Sequence, residues 1–176
     1  MTYRAGHGCC PGQPATHDVT IRNNVVRNSN QHGIVIGTWY SNTDGSSVYN
    51  INVYSNTFYG NNNGVVIRPM QSATVNWENN ISANNANNYV NTLNWNPGNT
   101  DYNLYFGGST GPGAHVLTLD PLFSNALAGD FSLQSSSPAI NAGDPNTSMS
   151  VGGTVDFAGN PRILGGRIDI GAYEMR

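Results

Sequence analysis

From Val19 to Phe106, apolar and polar residues alternate in short runs that end on asparagine. The runs are Val19-Thr-Ile-Arg-Asn-Asn24-Val-Val, Ile51-Asn-Val-Tyr-Ser-Asn56-Thr-Phe and Val75-Asn-Trp-Glu-Asn-Asn80-Ile-Ser, with a shorter copy at Asn103-Leu104-Tyr105. Successive copies lie 32, 24 and 23 residues apart, a period that belongs to stacked repeats. Alternation with period two predicts a strand with one buried face. Each phrase is followed by a second short run (Val25–Val26, Phe58, Ile81) and a third (Ile34–Ile36, Val65–Ile67, Tyr89–Leu93), with polar corners such as Asn28–Gly33 and Asn61–Gly64 between them.

Three short strands per repeat joined by polar corners predict an all-β solenoid, a parallel β-helix of about three to four coils. Residues 1–16 read as an irregular lead-in or partial coil, 17–106 as the coils, and 107–176 as the last strand and an irregular C-terminal capping segment of the same domain. Stacking at about 4.8 Å sets Val19 over Ile51 over Val75, Ile21 over Val53 over Trp77, and Ile34 over Val65 as core columns. Asn24, Asn56 and Asn80 fall at one corner, where asparagine tolerates left-handed backbone angles and its amide can bond to its counterpart one coil along. These asparagines read as a structural ladder.

Composition sharpens this picture. Of 27 asparagines, 23 lie between Asn23 and Asn103, and the interleaved Val, Ile, Trp and Tyr argue for an ordered tract, because disordered tracts lack regular apolar positions. Charged residues make up 10% of the chain, the net charge is −3, and all seven basic residues are arginine. Nucleic acid is therefore not an expected partner, and lysine chemistry is excluded. No stretch is apolar enough to insert into a membrane. Cys9 and Cys10 are adjacent, so they cannot staple distant loops and read as ordinary thiols. The segment Met1–His7 lacks the apolar core of a signal peptide; with the repeats starting abruptly, the expectation is a portion of a longer exported protein.

After Phe106 the texture changes to Asp120-Pro-Leu-Phe123, Gly129-Asp-Phe-Ser-Leu-Gln134, Ser137-Pro-Ala-Ile-Asn-Ala-Gly-Asp144, Asp156-Phe-Ala-Gly-Asn-Pro-Arg162 and Asp169-Ile-Gly-Ala-Tyr-Glu174, with His115–Leu119 read as a strand before it. In that order these motifs closely resemble the C-terminal end of bacterial right-handed parallel β-helix proteins of the pectate-lyase-like superfamily. The resemblance covers Asp120 to Glu174, and upstream it is one of pattern alone. It implies a right-handed helix, secretion or cell-surface placement, and polysaccharide metabolism, but no particular reaction. The apolar points Leu122, Phe123, Phe131, Leu133, Ile140 and Ile170 are expected to wrap back and close an edge that would otherwise recruit other chains. The opposite, N-terminal end is left as a surface for homodimer formation.

Candidate chemistry lies on the outer face and in the loops. The outward columns are Thr20, Asn52, Asn76 and, next to it, Arg22, Tyr54, Glu78. Arg22 and Glu78, about 9.6 Å apart at two strand spacings, flank an aromatic ring, an arrangement suited to a sugar chain or to simple solubilisation. A second constellation follows the third strands: Trp39 and Tyr40, then Arg68 and Met70, then Trp95, with Asp44 in the adjoining loop. Loop aromatics on a rigid scaffold suggest a carbohydrate groove. Glycoside hydrolysis needs two carboxyl groups about 5 to 9.5 Å apart; of Asp18, Asp44, Glu78 and Asp101, the pair singled out as catalytic is Asp44 with Glu78. Elimination from a uronic acid would draw on Arg22, Arg68 or His32, with calcium held by Asp side chains. No resident cofactor or metal motif is expected. The functional expectation is a glycoside hydrolase or polysaccharide lyase acting on a polysaccharide or oligosaccharide. The alternative is a non-catalytic glycan-binding or structural surface module. An ice-binding face would want ranks of threonine, which Thr20, Asn52 and Asn76 do not supply.

Overall fold

The structure is a computed structural model that describes residues 16–37, 48–68, 74–92 and 98–176. The repeats fold as the alternation predicts. Their strands are β1 (Thr16–Arg22), β2 (Val25–Arg27) and β3 (His32–Ile36), then β4 (Val48–Tyr54), β5 (Thr57–Tyr59) and β6 (Asn63–Ile67), then β7 (Val75–Glu78), β8 (Ile81–Ala83) and β9 (Asn87–Asn91), then β10 (Thr100–Asp101) and β11 (Leu104–Phe106). Consecutive strands join different sheets, and each strand pairs in parallel with its counterpart in the neighbouring repeat. The three sheets run β1-β4-β7-β10, β2-β5-β8-β11 and β3-β6-β9. This arrangement of stacked parallel strands is compatible with a parallel β-helix. The expected registers hold: Val19 pairs with Ile51 and Ile51 with Val75, Ile21 with Val53 and Val53 with Trp77, Ile34 with Val65.

All three sheets contribute to one interior. Ile21, Ile51, Val53, Val75 and Trp77 come from the first, Phe58 from the second, and Ile34, Ile36, Val65 and Ile67 from the third. Trp77 is fully buried, stacks on Phe58 at 5.3 Å between ring centroids, and donates its indole N–H to the Tyr105 hydroxyl at 3.1 Å. The ring thereby buries a large apolar area without orphaning its one donor. At the start of β6 the backbone needs a small residue: a Cβ at Gly64 would fall 2.0 Å from Ser82 Oγ and 2.6 Å from the Asn88 carbonyl oxygen, so no larger side chain fits there.

The asparagine ladder is present, exposed at Asn24 and buried at Asn56, Asn80 and Asn103, but the left-handed turn is made by the residue before each ladder asparagine. Asn23, Ser55, Asn79 and Tyr102 carry φ values of 55°, 54°, 57° and 52°. The following asparagine staples that turn, donating its amide to the carbonyl two residues back: Asn24 to Arg22 at 2.7 Å, Asn56 to Tyr54, Asn80 to Glu78 and Asn103 to Asp101 at 2.9 Å. The same amide nitrogen reaches the next repeat's Oδ1, as from Asn56 to Asn80 at 3.0 Å and from Asn80 to Asn103 at 3.2 Å. A serine and a tyrosine can therefore hold a conformation that ordinarily favours glycine or asparagine. A second ladder, unforeseen, lines the next corner: Asn61 Oδ1 accepts the Ser29 N–H at 2.9 Å, and Asn85 Oδ1 accepts the Asn61 N–H at 2.8 Å.

The C-terminal third departs further from expectation. His115–Leu119 is not a strand; only Leu117 forms an isolated parallel bridge, to Leu104. An antiparallel pair, β12 (Phe123–Asn125) and β13 (Asp130–Leu133), and a four-residue helix, α1 (Met149–Gly152), follow. Contacts of this tail run along the stack: Gly129 lies against Arg27, the Ala172 N–H donates to Thr57 Oγ1 at 3.0 Å, Phe131 packs on Tyr59, and Gly171 meets Ile81. The outer face of the second sheet is thus covered, with Ile81, Ala83 and Leu104 buried against Leu133, Ala139 and Ile170. Among the described residues no helix is long and apolar enough to cross a membrane.

Removing one ladder side chain tests this construction. Asn80 donates to the Val53 and Glu78 carbonyls and accepts from the Asn56 backbone and amide, so Asn80→Ala orphans several buried groups. An orphaned buried group costs about 1–3 kcal/mol. The expected loss in urea unfolding is therefore about 3 kcal/mol or more for Asn80→Ala, against about 1 kcal/mol for the exposed Asn24→Ala.

Candidate functional site

The outward column forms in the order expected: Arg22 pairs with Tyr54 and Tyr54 with Glu78, and β10 adds Asp101 beside Glu78. Each of the four stands two positions before a ladder asparagine, which fixes its place at the end of a strand of the first sheet. The column is not an open sugar-facing surface, however. Tyr54 and Glu78 are each only 7% exposed, because the tail returns over this corner. Arg22 stays exposed, but its guanidinium is engaged, donating to the carbonyls of Ser150 at 3.1 Å and Val151 at 3.2 Å.

Glu78 is the most perturbed carboxyl of the column. Burial, then the charges of Asp144 and Asp101, push it up to about 7, opposed by a hydrogen bond from the Asn99 amide. Burial acts against the charged form, and like charges add to it. Asp101 lies below the ordinary aspartate range despite its burial, because its oxygens accept the His115 backbone N–H at 2.7 Å and the Tyr102 N–H at 2.9 Å, and bond the His115 ring at 2.8 Å. His115 in turn stacks flat on Tyr102, 4.4 Å between centroids at 8°, while the Arg167 guanidinium lies 5.6 Å from the Tyr102 ring centre. The end of the first sheet therefore sets an acid whose ionisation falls near neutrality beside a carboxylate held low, with the exposed His115 imidazole brought to it from the tail.

The other expected residues fall elsewhere. Asp44, Trp39, Tyr40, Met70 and Trp95, with Cys9 and Cys10, lie outside the described residues. Arg68 follows β6 of the third sheet, its backbone N–H donating to the Ile36 carbonyl at 2.9 Å. His32 is on that sheet too, its ring 2.9 Å from the Asn63 amide, and burial with the charge of Arg68 holds it below the ordinary histidine range. Within the described chain, the carboxyls brought to Glu78 are Asp101 and Asp144. The first was legible, since Asp101 precedes Asn103 as Glu78 precedes Asn80. Asp144 and His115 come from the aperiodic tail, which offers no register to read. Among the described residues, no group of three or more His, Cys, Asp or Glu is placed to hold a metal ion.

The charged residues of the last two tail motifs bond to the tail's own backbone. Arg162, 1% exposed, donates to the carbonyls of Asp169 at 3.1 Å and Gly171 at 2.5 Å. Asp156 Oδ2 accepts the Glu174 N–H, and Asp169 accepts the N–H groups of Asn141 and Met175. Glu174 is pushed up to about 7 by burial and by Asp169.

Glu78 and Glu174 set a pH dependence of definite sign. Both hold a proton in the fold at pH values where the unfolded chain has lost it. Their contribution to stability is thus complete below about 4.5 and is lost as pH rises through about 7. Thermal melts should show the midpoint falling across that window, and the Glu78→Gln, Glu174→Gln double variant should flatten the slope.

Compared with known proteins, the chain matches no family model, and no curated protein matches it.

Proposed function

We propose that the chain is a right-handed parallel β-helix of the pectate-lyase-like kind that acts on a polysaccharide outside the cell or at its surface, as a glycoside hydrolase or a polysaccharide lyase. The observation that carries this reading is the pairing of Glu78 with Asp101 on neighbouring strands, one pushed up to about 7 and the other held low. Acid–base chemistry on a glycosidic bond wants such a divided pair. A strand spacing of about 4.8 Å is near the carboxyl separation of about 5 Å used for retention of configuration. Glu78 would protonate the leaving oxygen and Asp101 would serve as the anionic partner. In an eliminating enzyme, His115, oriented by Asp101, would take the proton.

A second reading, a glycan-binding or structural module without catalysis, is favoured by the burial of Tyr54 and Glu78. A polysaccharide panel separates the two. Release of reducing ends marks hydrolysis, and rising absorbance from unsaturated products marks elimination; either should fall by about 10²-fold or more in Asp101→Asn. If nothing is cleaved while intrinsic fluorescence responds to a glycan, the catalytic reading fails and the binding module stands.

A further inference from the structure

The segment after Gly143 crosses the outer column of the first sheet and is fastened at two places. Asn79, in the left-handed turn after β7, accepts the Asp144 N–H through Oδ1 at 2.8 Å and donates through Nδ2 to Thr147 Oγ1 at 2.9 Å. Two repeats away, Arg22 holds the carbonyls of Ser150 and Val151, and the Asn23 amide donates to the carbonyls of Gly152 at 3.3 Å and Val155 at 2.8 Å. These fastenings are polar. Of residues 144–155 only Gly152 and Gly153 are buried, whereas Met149 and Val155 are 58% and 47% exposed. A segment that buries so little apolar surface opens at low cost compared with the core beneath it.

Its charges are arranged against it. Asp144, on the segment, acts on Glu78 of β7, and Asp101 of β10 acts on the same carboxyl. The remaining titratable or charged groups around the corner are Tyr54 on β4, Arg22 on β1 (occupied by segment carbonyls), His115 on Asp101, and Arg167, which donates to the Gly143 and Ala142 carbonyls. Glu78 itself is bonded by the Asn99 amide.

We infer that residues 144–153 form a detachable strap, closed over a neutral Glu78 and lifted by repulsion between Asp144 and a carboxylate at Glu78, and that lifting it uncovers the Arg22–Tyr54–Glu78 column for a saccharide. The Glu78 carboxyl O–H breaks and its proton passes to solvent water; beyond that only hydrogen bonds change. The change of charge falls in the neutral range, since Glu78 is pushed up to about 7. The lifting stands on the contacts above, whereas the saccharide half rests on the carbohydrate reading and concerns binding alone: an uncovered Glu78 carboxylate must take a proton back from solvent before it can act as the acid.

Hydrogen–deuterium exchange of the full chain, corrected for intrinsic rates and followed by mass spectrometry, tests the strap directly. Peptides covering 144–153 should lose about tenfold in protection between one unit below and one unit above about 7, while peptides covering β7 and β8 keep theirs. Glu78→Gln, which keeps the shape and stays neutral, should leave the strap protected on both sides of that range, and Asp144→Asn should shrink the step. An identical profile in wild type and Glu78→Gln overturns the inference. Asn79→Ala, lacking the first fastening, should expose the strap at every pH and bind a polysaccharide from the panel more tightly. A strap that opens with no saccharide bound at any pH keeps the device and sinks its saccharide half together with the carbohydrate reading.

Discussion

Stacked parallel strands leave a problem at every corner, where the chain must turn sharply and still satisfy its backbone beside a buried apolar core. The side-chain amide of asparagine meets that demand in three directions at once. In Asn80 it bonds the carbonyl two residues back, a carbonyl of the neighbouring repeat, and the next ladder amide. Because an unmet polar group in the interior costs more than a made hydrogen bond contributes, the ladder tolerates little slippage. A shift of one repeat against another by a single residue would break every rung and also turn the core columns outward. Register, interior and outer face are therefore one constraint.

The second sheet extends that logic outward. Its inner face carries Phe58 and Tyr105 into the interior, and its outer face carries Ile81, Ala83 and Leu104 beneath the tail. A parallel sheet covered on both sides loses the strict alternation of a half-exposed strand, which is visible in β8, where Ile81, Ser82 and Ala83 are all buried. The tail accomplishes this covering with a compact polar framework of its own. Arg162 donates to the Asp169 carbonyl, Glu174 accepts the Asp169 N–H, and Asp156 accepts the Glu174 N–H, so these motif residues tie the tail's own backbone together.

Much of this was readable from spacing. The columns Val19–Ile51–Val75 and Ile21–Val53–Trp77 and the order Arg22–Tyr54–Glu78 follow from counting back from each asparagine, and one more count reaches Asp101. What spacing could not supply was the return of the tail. Glu78 and Tyr54 are outward by register yet covered, because cover comes from residues far along the chain with no period. The left-handed residue was misplaced by one position for a local reason: asparagine is the usual occupant of that conformation, but here its amide is needed for the staple, and the preceding residue makes the turn. The second ladder at Asn61 and Asn85 hid in plain view as a polar corner, since hydrophilic turns without buried amides look the same in a sequence.

The bond from the Ala172 backbone to Thr57 joins residues 115 positions apart. While the ribosome is still making the tail, the outer face carrying Ile81, Ala83 and Leu104 has already emerged without the Leu133, Ala139 and Ile170 side chains that bury it. The nascent chain therefore passes through a stage in which a greasy flat sheet waits for its covering, the condition under which such surfaces find each other across molecules.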